Sequence, residues 1–201
     1  MLNLQKEKKL ILEYFNAIDN SNKNNLIDTI SKYTSDNFKM RCTHPFNELS
    51  GIEEVANNLW IPIKNSFKPI QRRMDIFYAG INSLDINEGK WVTSMGHFMG
   101  VFNKSFLGIQ PNYKSILLRY AEFYKVENNK ITEGAIFLDI MNFMQQLGLS
   151  IIPESTGLVC VTPGPMNHRG LKYDLSDDAE GQKTLELIHR MRDRLVKGSK
   201  M

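Results

Sequence analysis

Residues 122–148 read EFYKVENNKITEGAIFLDIMNFMQQLG, and this segment is the most informative about the fold. Two β-like runs flank Asn128 and Asn129, which tolerate the positive φ angles of a tight turn, so a hairpin of two strands is predicted. The second strand ends at Asp139, and a short helix follows until Gly148, a common residue just after a helix. One carboxylate, that of Asp139, therefore lies at the junction of strand and helix in an otherwise apolar run.

The residues before this stretch place helices ahead of strands. Apolar residues at three- and four-residue spacing predict helices over 6–18 and 26–33. Ser50 and Glu53 have the pattern of a capping box that opens a third helix, which Pro62 interrupts. Alternating apolar runs predict strands at residues 37–43, 73–84, 90–102, 115–126 and 131–139. This order indicates an α+β fold, with a curved antiparallel sheet wrapped around N-terminal helices.

The character of the chain changes after Gly148. We predict an α+β domain over residues 1–150, an irregular Pro- and Gly-rich linker over 151–176, and an amphipathic helix within 177–201. The helix carries apolar residues on one face, at Leu185, Ile188, Met191 and Leu195. This face either packs on a partner subunit or completes a further domain.

Composition and charge argue against several classes of function. The 201 residues carry a net charge of +3 from scattered basic residues, which does not indicate a nucleic-acid surface. No window approaches the run of about 18 apolar residues that a membrane span needs. Cys42 and Cys160 share no motif spacing and no export signal is seen, so a cytoplasmic protein with free thiols is expected. The adjacent Arg72 and Arg73 are interpreted as a solvated pair.

Motifs for metals and cofactors are missing from the sequence. Histidines and cysteines do not fall at metal-ligand spacing. No Gly-rich phosphate loop follows a strand, and there is no G-x-S-x-G elbow. We therefore expect neither a metal nor a cofactor.

Asp139 has two interpretations. In a dry pocket its pKa would be raised, and it could take a proton from an activated carbon. Alternatively, it caps the following helix, which is predicted over residues 141–147, by accepting backbone N–H bonds. The spacing allows either.

Two further polar residues fall within predicted strands. His97 lies between Gly96 and Gly100, which allow close approach of a ligand or of another backbone; it either polarises a carbonyl or is a core histidine. Arg119 faces solvent, pairs with a carboxylate such as Asp139, or binds an anionic group of a ligand. Strand register, which the sequence does not give, decides whether Arg119 and Asp139 share a face.

Six motifs occur in consistent order over about residues 6–150. They are HPF at 44–46, G-x-x-x-V-A-x-x-x-W at 51–60, GHFMGVF at 96–102, LGIQP at 107–111, RYAEFYKVENNKI at 119–131 and D-x-x-x-F-M-Q-Q-L-G at 139–148. In these motifs the chain resembles the SnoaL-like polyketide cyclases, within the nuclear-transport-factor-2-like superfamily. The resemblance implies a cone-shaped α+β fold with a deep pocket at its open end.

The resemblance also implies a chemistry. Members of the family close rings by an intramolecular aldol step without metal or cofactor, using an acid/base carboxylate near the last strand, and often pair as dimers through the outer face of the sheet. Asp139 matches that carboxylate, with His97 and Arg119 expected to stabilise enolate charge. Apolar or rim residues are expected to contact the substrate, namely His44, Trp60, Met95, Met99 and Phe137.

The leading hypothesis is thus acid/base chemistry of cyclase, isomerase or lyase type on a small, apolar, carbonyl-bearing molecule, in a homodimer. The alternative is a non-catalytic ligand-binding or protein-interaction module of the same fold. Gly134 and Ala135 depart from the family pattern, in which a bulky aromatic residue or a histidine often stands. This departure would enlarge the pocket or remove a polar partner.

Overall fold

The computed structural model describes residues 3–82, 88–149, 153, 164–175 and 179–198. These residues form two compact units. The larger, Leu4–Tyr173, contains a sheet and the N-terminal helices. The second includes Asn3 and the residues from Asp174 onward, with the C-terminal helix. The predicted domain boundaries near residues 150 and 176 stay predictions.

In the chain, the helices of the larger unit come before the strands, between the second and third strands, and after the last strand. They are α1 Gln5–Asn20, α2 Leu26–Tyr33, α3 Ile52–Glu54, a π-helical segment Val55–Trp60, α4 Ile61–Ser66 and α5 Ile140–Gln146. The predicted ends of α2 are confirmed, and those of α1 and α5 are correct to within two residues. Apolar residues every three or four positions favour α1 and α2, because one face of each of these helices is buried.

The third predicted helix differs from the sequence-based expectation at both ends. Gly51, with φ of 86°, is its N-cap, and Ser50 makes no side-chain cap. The carboxylate that reaches back to the Ser50 N–H is that of Glu54, at 2.8 Å, so the prediction of Glu53 is wrong. Pro62 does not end the helical structure, because the wider turn before it, in which the Ile61 N–H bonds to the Ala56 carbonyl, accommodates the proline ring.

Six strands form one sheet. They are β1 Thr34–Cys42, β2 Glu48–Ser50, β3 Phe67–Ile81, β4 Lys90–Phe102, β5 Ser115–Glu127 and β6 Lys130–Leu138. Their order in space is β2-β1-β6-β5-β4-β3, with β1 and β6 parallel and all other neighbours antiparallel. The α+β prediction, a curved sheet over N-terminal helices, is confirmed.

Two glycines of β4 let β3 bend closely over it. A Cβ on Gly96 would lie 1.9 Å from the Arg73 carbonyl oxygen, and one on Gly100 would lie 2.8 Å from that of Pro69. The register of β3 against β4 shifts between Met74 and Ile76, which marks a bulge. The small residues around His97 therefore admit another backbone, one of the two alternatives that the sequence allowed.

The inner face of the sheet holds the core against α1 and the Val55–Ser66 helical segments. Alternate residues of β5 point inward, and those between Ile116 and Val126 are buried. Gly134 also faces inward, but the space that a side chain would take is filled by Met40 Sδ and the Tyr124 ring. The glycine thus makes room for core packing.

Residues after α5 extend the edge of the sheet at β3. The Phe77 N–H donates to the Gly170 carbonyl at 2.8 Å, and the Lys172 N–H donates to the Phe77 carbonyl at 2.7 Å. Tyr173 packs on the Phe77 ring. Backbone groups of an edge strand that would otherwise face water are satisfied in this way.

The second unit contains α6, Ala179–Gly198. Leu185, Ile188, Met191 and Leu195 are all exposed on the surface of this helix. Among the described helices, α6 included, none has the length and apolarity needed to cross a membrane.

Candidate functional site

A buried ion-pair cluster lies between α1 and the inner face of the sheet. Arg72 Nη1 of β3 contacts Glu122 Oε2 of β5 at 2.5 Å, and Arg72 Nε donates to Asp19 Oδ2 at 3.0 Å. The side chains of Arg72 and Glu122 are 3% and 0% exposed, whereas that of Asp19 is 36% exposed. Strand alternation explains the placement, because Arg72 is paired with Phe98 in the sheet, and Phe98 points inward.

Aromatic rings surround the Arg72 guanidinium. Its Cζ lies 4.1 Å from the ring centre of Phe15, 4.8 Å from that of Phe98, 5.4 Å from that of Tyr120 and 5.6 Å from that of Trp60. Such contacts stabilise a cation that has lost its water. Burial by itself would lower the pKa of Arg72, but Glu122 and Asp19 outweigh this and raise it, so the side chain is a permanent cation.

Several buried polar atoms around this cluster have no hydrogen-bond partner among the described residues. They are Glu122 Oε1, Tyr14 Oη, Trp60 Nε1 and Tyr124 Oη. The Tyr124 hydroxyl is near enough to Glu122 to lower its pKa, but no bond of regular geometry joins them. The Trp60 N–H and the Tyr124 hydroxyl likewise lie near enough to the Tyr14 hydroxyl to lower its pKa, so these four buried polar groups are neighbours in the interior.

The protonation states suit proton transfer. Burial raises the pKa of Glu122 from 4.5 to about 7, against the opposing effect of Arg72. Burial likewise raises the pKa of the Tyr14 and Tyr124 hydroxyls, which therefore keep their protons and can donate hydrogen bonds. The cluster thus combines one carboxyl that can exchange a proton near neutral pH with neutral donors.

Asp139 is the N-cap of α5. Its Oδ1 accepts a hydrogen bond from the Asn142 N–H at 2.9 Å, and its own N–H donates to the Arg119 carbonyl at 3.0 Å. This is the helix-capping alternative stated above. The catalytic role of Asp139 stays a prediction.

His97 and Arg119 lie opposite each other in β4 and β5, on the outer face of the sheet. His97 Nδ1 lies 3.2 Å from Asp75 Oδ2, and the His97 side chain is 8% exposed. Arg119 and Asp139 line a common groove of about 380 Å³ on this outer face. The structure therefore brings Arg119 and Asp139 together, but none of the three residues joins the buried cluster.

The residues predicted to contact substrate are distributed over three places. Trp60 lies in the interior against Arg72 and Phe98. Met95 and Phe137 line the outer groove beside Arg119, and Met99 lies on the same face with its sulfur 3.8 Å from Arg73 Nη1. His44 is exposed in the turn between β1 and β2.

The buried cluster is not among the sites predicted from the sequence. The prediction that Arg72 is solvated is wrong, and Asp19, Tyr14 and Glu122 are not among the predicted site residues. One signal was present: Glu122 shares its strand face with Tyr120 and Tyr124, so a carboxylate alternates with aromatic residues on a face that is otherwise apolar. Among the described residues, no three His, Cys, Asp or Glu side chains are grouped as metal ligands.

The sequence profile of the SnoaL-like polyketide cyclases matches residues 81–147, which run from the end of β3 to the end of α5. Over these residues the sequence is similar to that family. No curated protein sequence matches the chain.

Solved structures share the fold of this chain. AclR of Streptomyces galilaeus, a proposed hydroxylase, superposes with a TM-score of 0.57 at 19% identity, over 74% of this chain and 87% of its own. A SnoaL-like polyketide cyclase of Agrobacterium tumefaciens superposes with a TM-score of 0.53 at 16% sequence identity, over 74% of this chain and 100% of its own. An NTF2-like protein of Burkholderia thailandensis superposes with a TM-score of 0.50 at 14% sequence identity, over 73% of this chain and 97% of its own. At these identities the likeness establishes the fold alone.

Proposed function

We propose that the SnoaL-like domain binds a small, apolar, carbonyl-bearing molecule and performs acid/base chemistry of cyclase, isomerase or lyase type on it, without a cofactor. The observation that carries this proposal is Glu122, a fully buried carboxyl whose Oε1 has no partner among the described residues. A carboxyl that is dry, unpaired on one oxygen and close to neutral in pKa is suited to accept a proton from carbon.

The surrounding residues supply the rest of the mechanism. Glu122 removes a proton from the carbon next to a carbonyl, and the negative charge then develops on the carbonyl oxygen. The Tyr14 and Tyr124 hydroxyls and the Trp60 N–H are buried donors that can bond to this oxyanion as it forms. Arg72 stabilises the ionised form of Glu122 before the transfer. Return of the proton from Glu122 to carbon or to a new alkoxide completes the cycle.

The comparisons support the class of substrate but not its identity. The Agrobacterium protein is named a polyketide cyclase, and closure of a polyketide ring by an aldol step begins with the same removal of a proton next to a carbonyl. The sequence-based assignment to Asp139, with His97 and Arg119, is the alternative location for this chemistry, on the outer face of the sheet.

Exchange of hydrogen for deuterium tests the proposal without the natural substrate. Aryl ketones and β-keto esters are incubated with the full chain in D2O, and loss of the proton next to the carbonyl is followed by NMR. Glu122→Gln should abolish the protein-dependent exchange, whereas Asp139→Asn should retain it. Glu133→Gln, a half-buried carboxylate of the outer face that pairs with Arg41 and Lys125, is the matched control.

The opposite outcome would contradict the interior site: Asp139→Asn abolishes the protein-dependent deuterium exchange and Glu122→Gln retains it. If the wild-type protein accelerates exchange of none of these probes, while ligands still shift its melting temperature, the non-catalytic alternative is favoured. The capping role of Asp139 supports that alternative, because it gives the residue a structural reason to be present.

The outer face is proposed as the homodimer interface that the resemblance implies. An apolar groove of about 460 Å³ lies there, lined by large side chains such as Tyr78, Trp91, Phe123 and Phe137. Phe137 is 54% exposed, which is unusual for a phenylalanine unless a partner covers it. Sedimentation velocity should show a dimer that Phe137→Glu converts to a monomer; a monomeric wild-type protein contradicts the proposal.

A cytoplasmic location stays a prediction.

A further inference from the structure

Asp19 is the solvent-facing member of the buried ion-pair cluster. Its side chain is 36% exposed, whereas those of Arg72 and Glu122 are 3% and 0% exposed. It lies in the last turn of α1, beside the Phe15 ring that covers the guanidinium. A molecule that approaches the guanidinium from this side meets Asp19 first.

The contact between Asp19 and Arg72 has the geometry of carboxylate recognition. Arg72 Nε donates to Oδ2 at 3.0 Å and Nη2 donates to Oδ1 at 3.3 Å, so the two side chains meet as parallel forks. A carboxylate on a small molecule makes the same pair of bonds with an arginine. This half of the guanidinium is therefore already arranged for an anionic group.

Asp19 is held in a position that does not favour a carboxylate. The C-terminal end of a helix carries partial negative charge, and the last turn of α1 has no basic residue. Lys64 compensates from α4 by donating to the carbonyls of Ile18 at 2.7 Å and Asp19 at 3.0 Å. Because Lys64 bonds to the backbone, it stays in place when the Asp19 side chain turns away.

The charges on this side of the cluster are thus two cations, Arg72 and Lys64, and two carboxyls, Asp19 and Glu122. Asp19 also disfavours ionisation of Glu122 through its charge. Rotation of Asp19 into water leaves both cations facing an incoming anion, with the rings of Phe15, Phe98 and Trp60 beside it. An apolar molecule that bears a carboxylate complements this surface better than a neutral one.

We propose that the molecule bound in the cone carries a carboxylate, which replaces Asp19 on Arg72 and so defines the substrate class as apolar keto acids. This inference rests on the proposed small-molecule function of the domain. Asp19 is then a specificity residue that holds the place of the substrate carboxylate and excludes weaker, neutral competitors.

The test compares an acid with its neutral analogues. The dissociation constants of 2-naphthylacetate, its methyl ester and its amide are measured by calorimetry with the full-length wild type, Asp19→Ala and Asp28→Ala. Asp28 is an exposed aspartate of α2, so its replacement makes the same change in net charge away from the cluster. Asp19→Ala should bind the acid about tenfold more tightly than wild type, because the competing carboxylate is gone.

The controls separate this effect from general electrostatics. The ester and the amide should bind all three proteins within about twofold of each other, and Asp28→Ala should match wild type. Lys64→Gln, which removes the second cation, should weaken binding of the acid by about threefold and leave the ester unchanged. Arg72 itself need not be replaced, so the test does not depend on a variant that fails to fold.

Three results would overturn the inference: equal affinity of wild type and Asp19→Ala for the acid, an equal gain for the ester, or no binding of the acid by either protein. Loss of the proposed chemistry is recognised separately. If Glu122→Gln leaves the deuterium exchange unchanged while the acid still binds at Arg72, the mechanism is wrong and the carboxylate preference is retained.

Discussion

The two faces of strands β4 and β5 carry polar residues in very different surroundings. Inward lie Ser94, Tyr120 and Glu122, all at most 1% exposed, in contact with Arg72 or with each other. Outward lie Arg119 and His97, the first half-buried and the second paired with Asp75, beside a groove that is open to water. Successive residues of the same strands therefore face a dry interior and a wet surface.

The same kind of charge has different consequences on the two faces. An ion pair that has lost its water shifts pKa values and strongly affects stability, whereas an exposed pair is screened and contributes little. The outer residues were the ones that motif and strand position singled out. The inner residues have the burial, the pKa shift and the unpaired atoms that acid/base chemistry needs.

The largest expected effect comes from removing the buried cation. Arg72→Met should lower the free energy of unfolding by about 3–5 kcal/mol, because Glu122 is left buried without its partner. Arg119→Met, on the outer face, should cost less than about 1 kcal/mol, since its surroundings are partly solvated. Urea denaturation at pH 7.5 measures both, and equal losses would mean that the two faces do not differ as described.

The pH dependence of stability tests the environment of Glu122. Its pKa is about 7 in the folded protein against an ordinary value of 4.5, so the folded state keeps a proton that the unfolded state has lost. The free energy of unfolding should therefore fall as pH rises from about 4.5 to about 7, by up to about 3 kcal/mol. Glu122→Gln should remove this slope and Glu133→Gln should retain it. Parallel curves for wild type and Glu122→Gln would contradict the assignment.

The curvature that separates the inner from the outer face depends on Gly96. Gly96→Ala should destabilise the domain by about 1–3 kcal/mol, because the new Cβ would collide with the Arg73 carbonyl oxygen. Gly80→Ala in β3 is the control, since nothing lies within 4 Å of the added carbon, and it should change stability by less than about 0.5 kcal/mol. Thermal unfolding of both variants measures the difference. A tolerated Gly96→Ala would mean that β3 does not need this close approach.

The smallest expected effect concerns Asp139. Asp139→Ala should cost about 1 kcal/mol through loss of the helix cap, whereas Asp139→Asn should cost less than about 0.5 kcal/mol because asparagine is an equally good N-cap. Chemical denaturation distinguishes them. Equal losses in the two variants would show that the negative charge, and not the cap, is what the outer face requires.

Much of the fold could be predicted from the sequence because it depends on local patterns. The spacing of apolar residues located α2 and β4 to the residue, and the hairpin at Asn128 and Asn129 followed from their tolerance of positive φ. The α+β class and the SnoaL-like resemblance followed from the order of these elements and motifs. Local geometry also allowed the N-cap role of Asp139 to be stated as one of two alternatives.

The candidate site could not be predicted in the same way, because it is assembled from residues that are distant in sequence. Asp19, Arg72 and Glu122 are brought together by the packing of α1 on the sheet and by the register of β3, β4 and β5. A bulge in β3, seen in the register shift after Met74, changes the strand phase, so alternation alone does not assign one face along its whole length. Local sequence patterns specify which elements form and in what order. Which face of each strand is dry is set by the packing of distant elements, because burial of a charge depends on what packs against it.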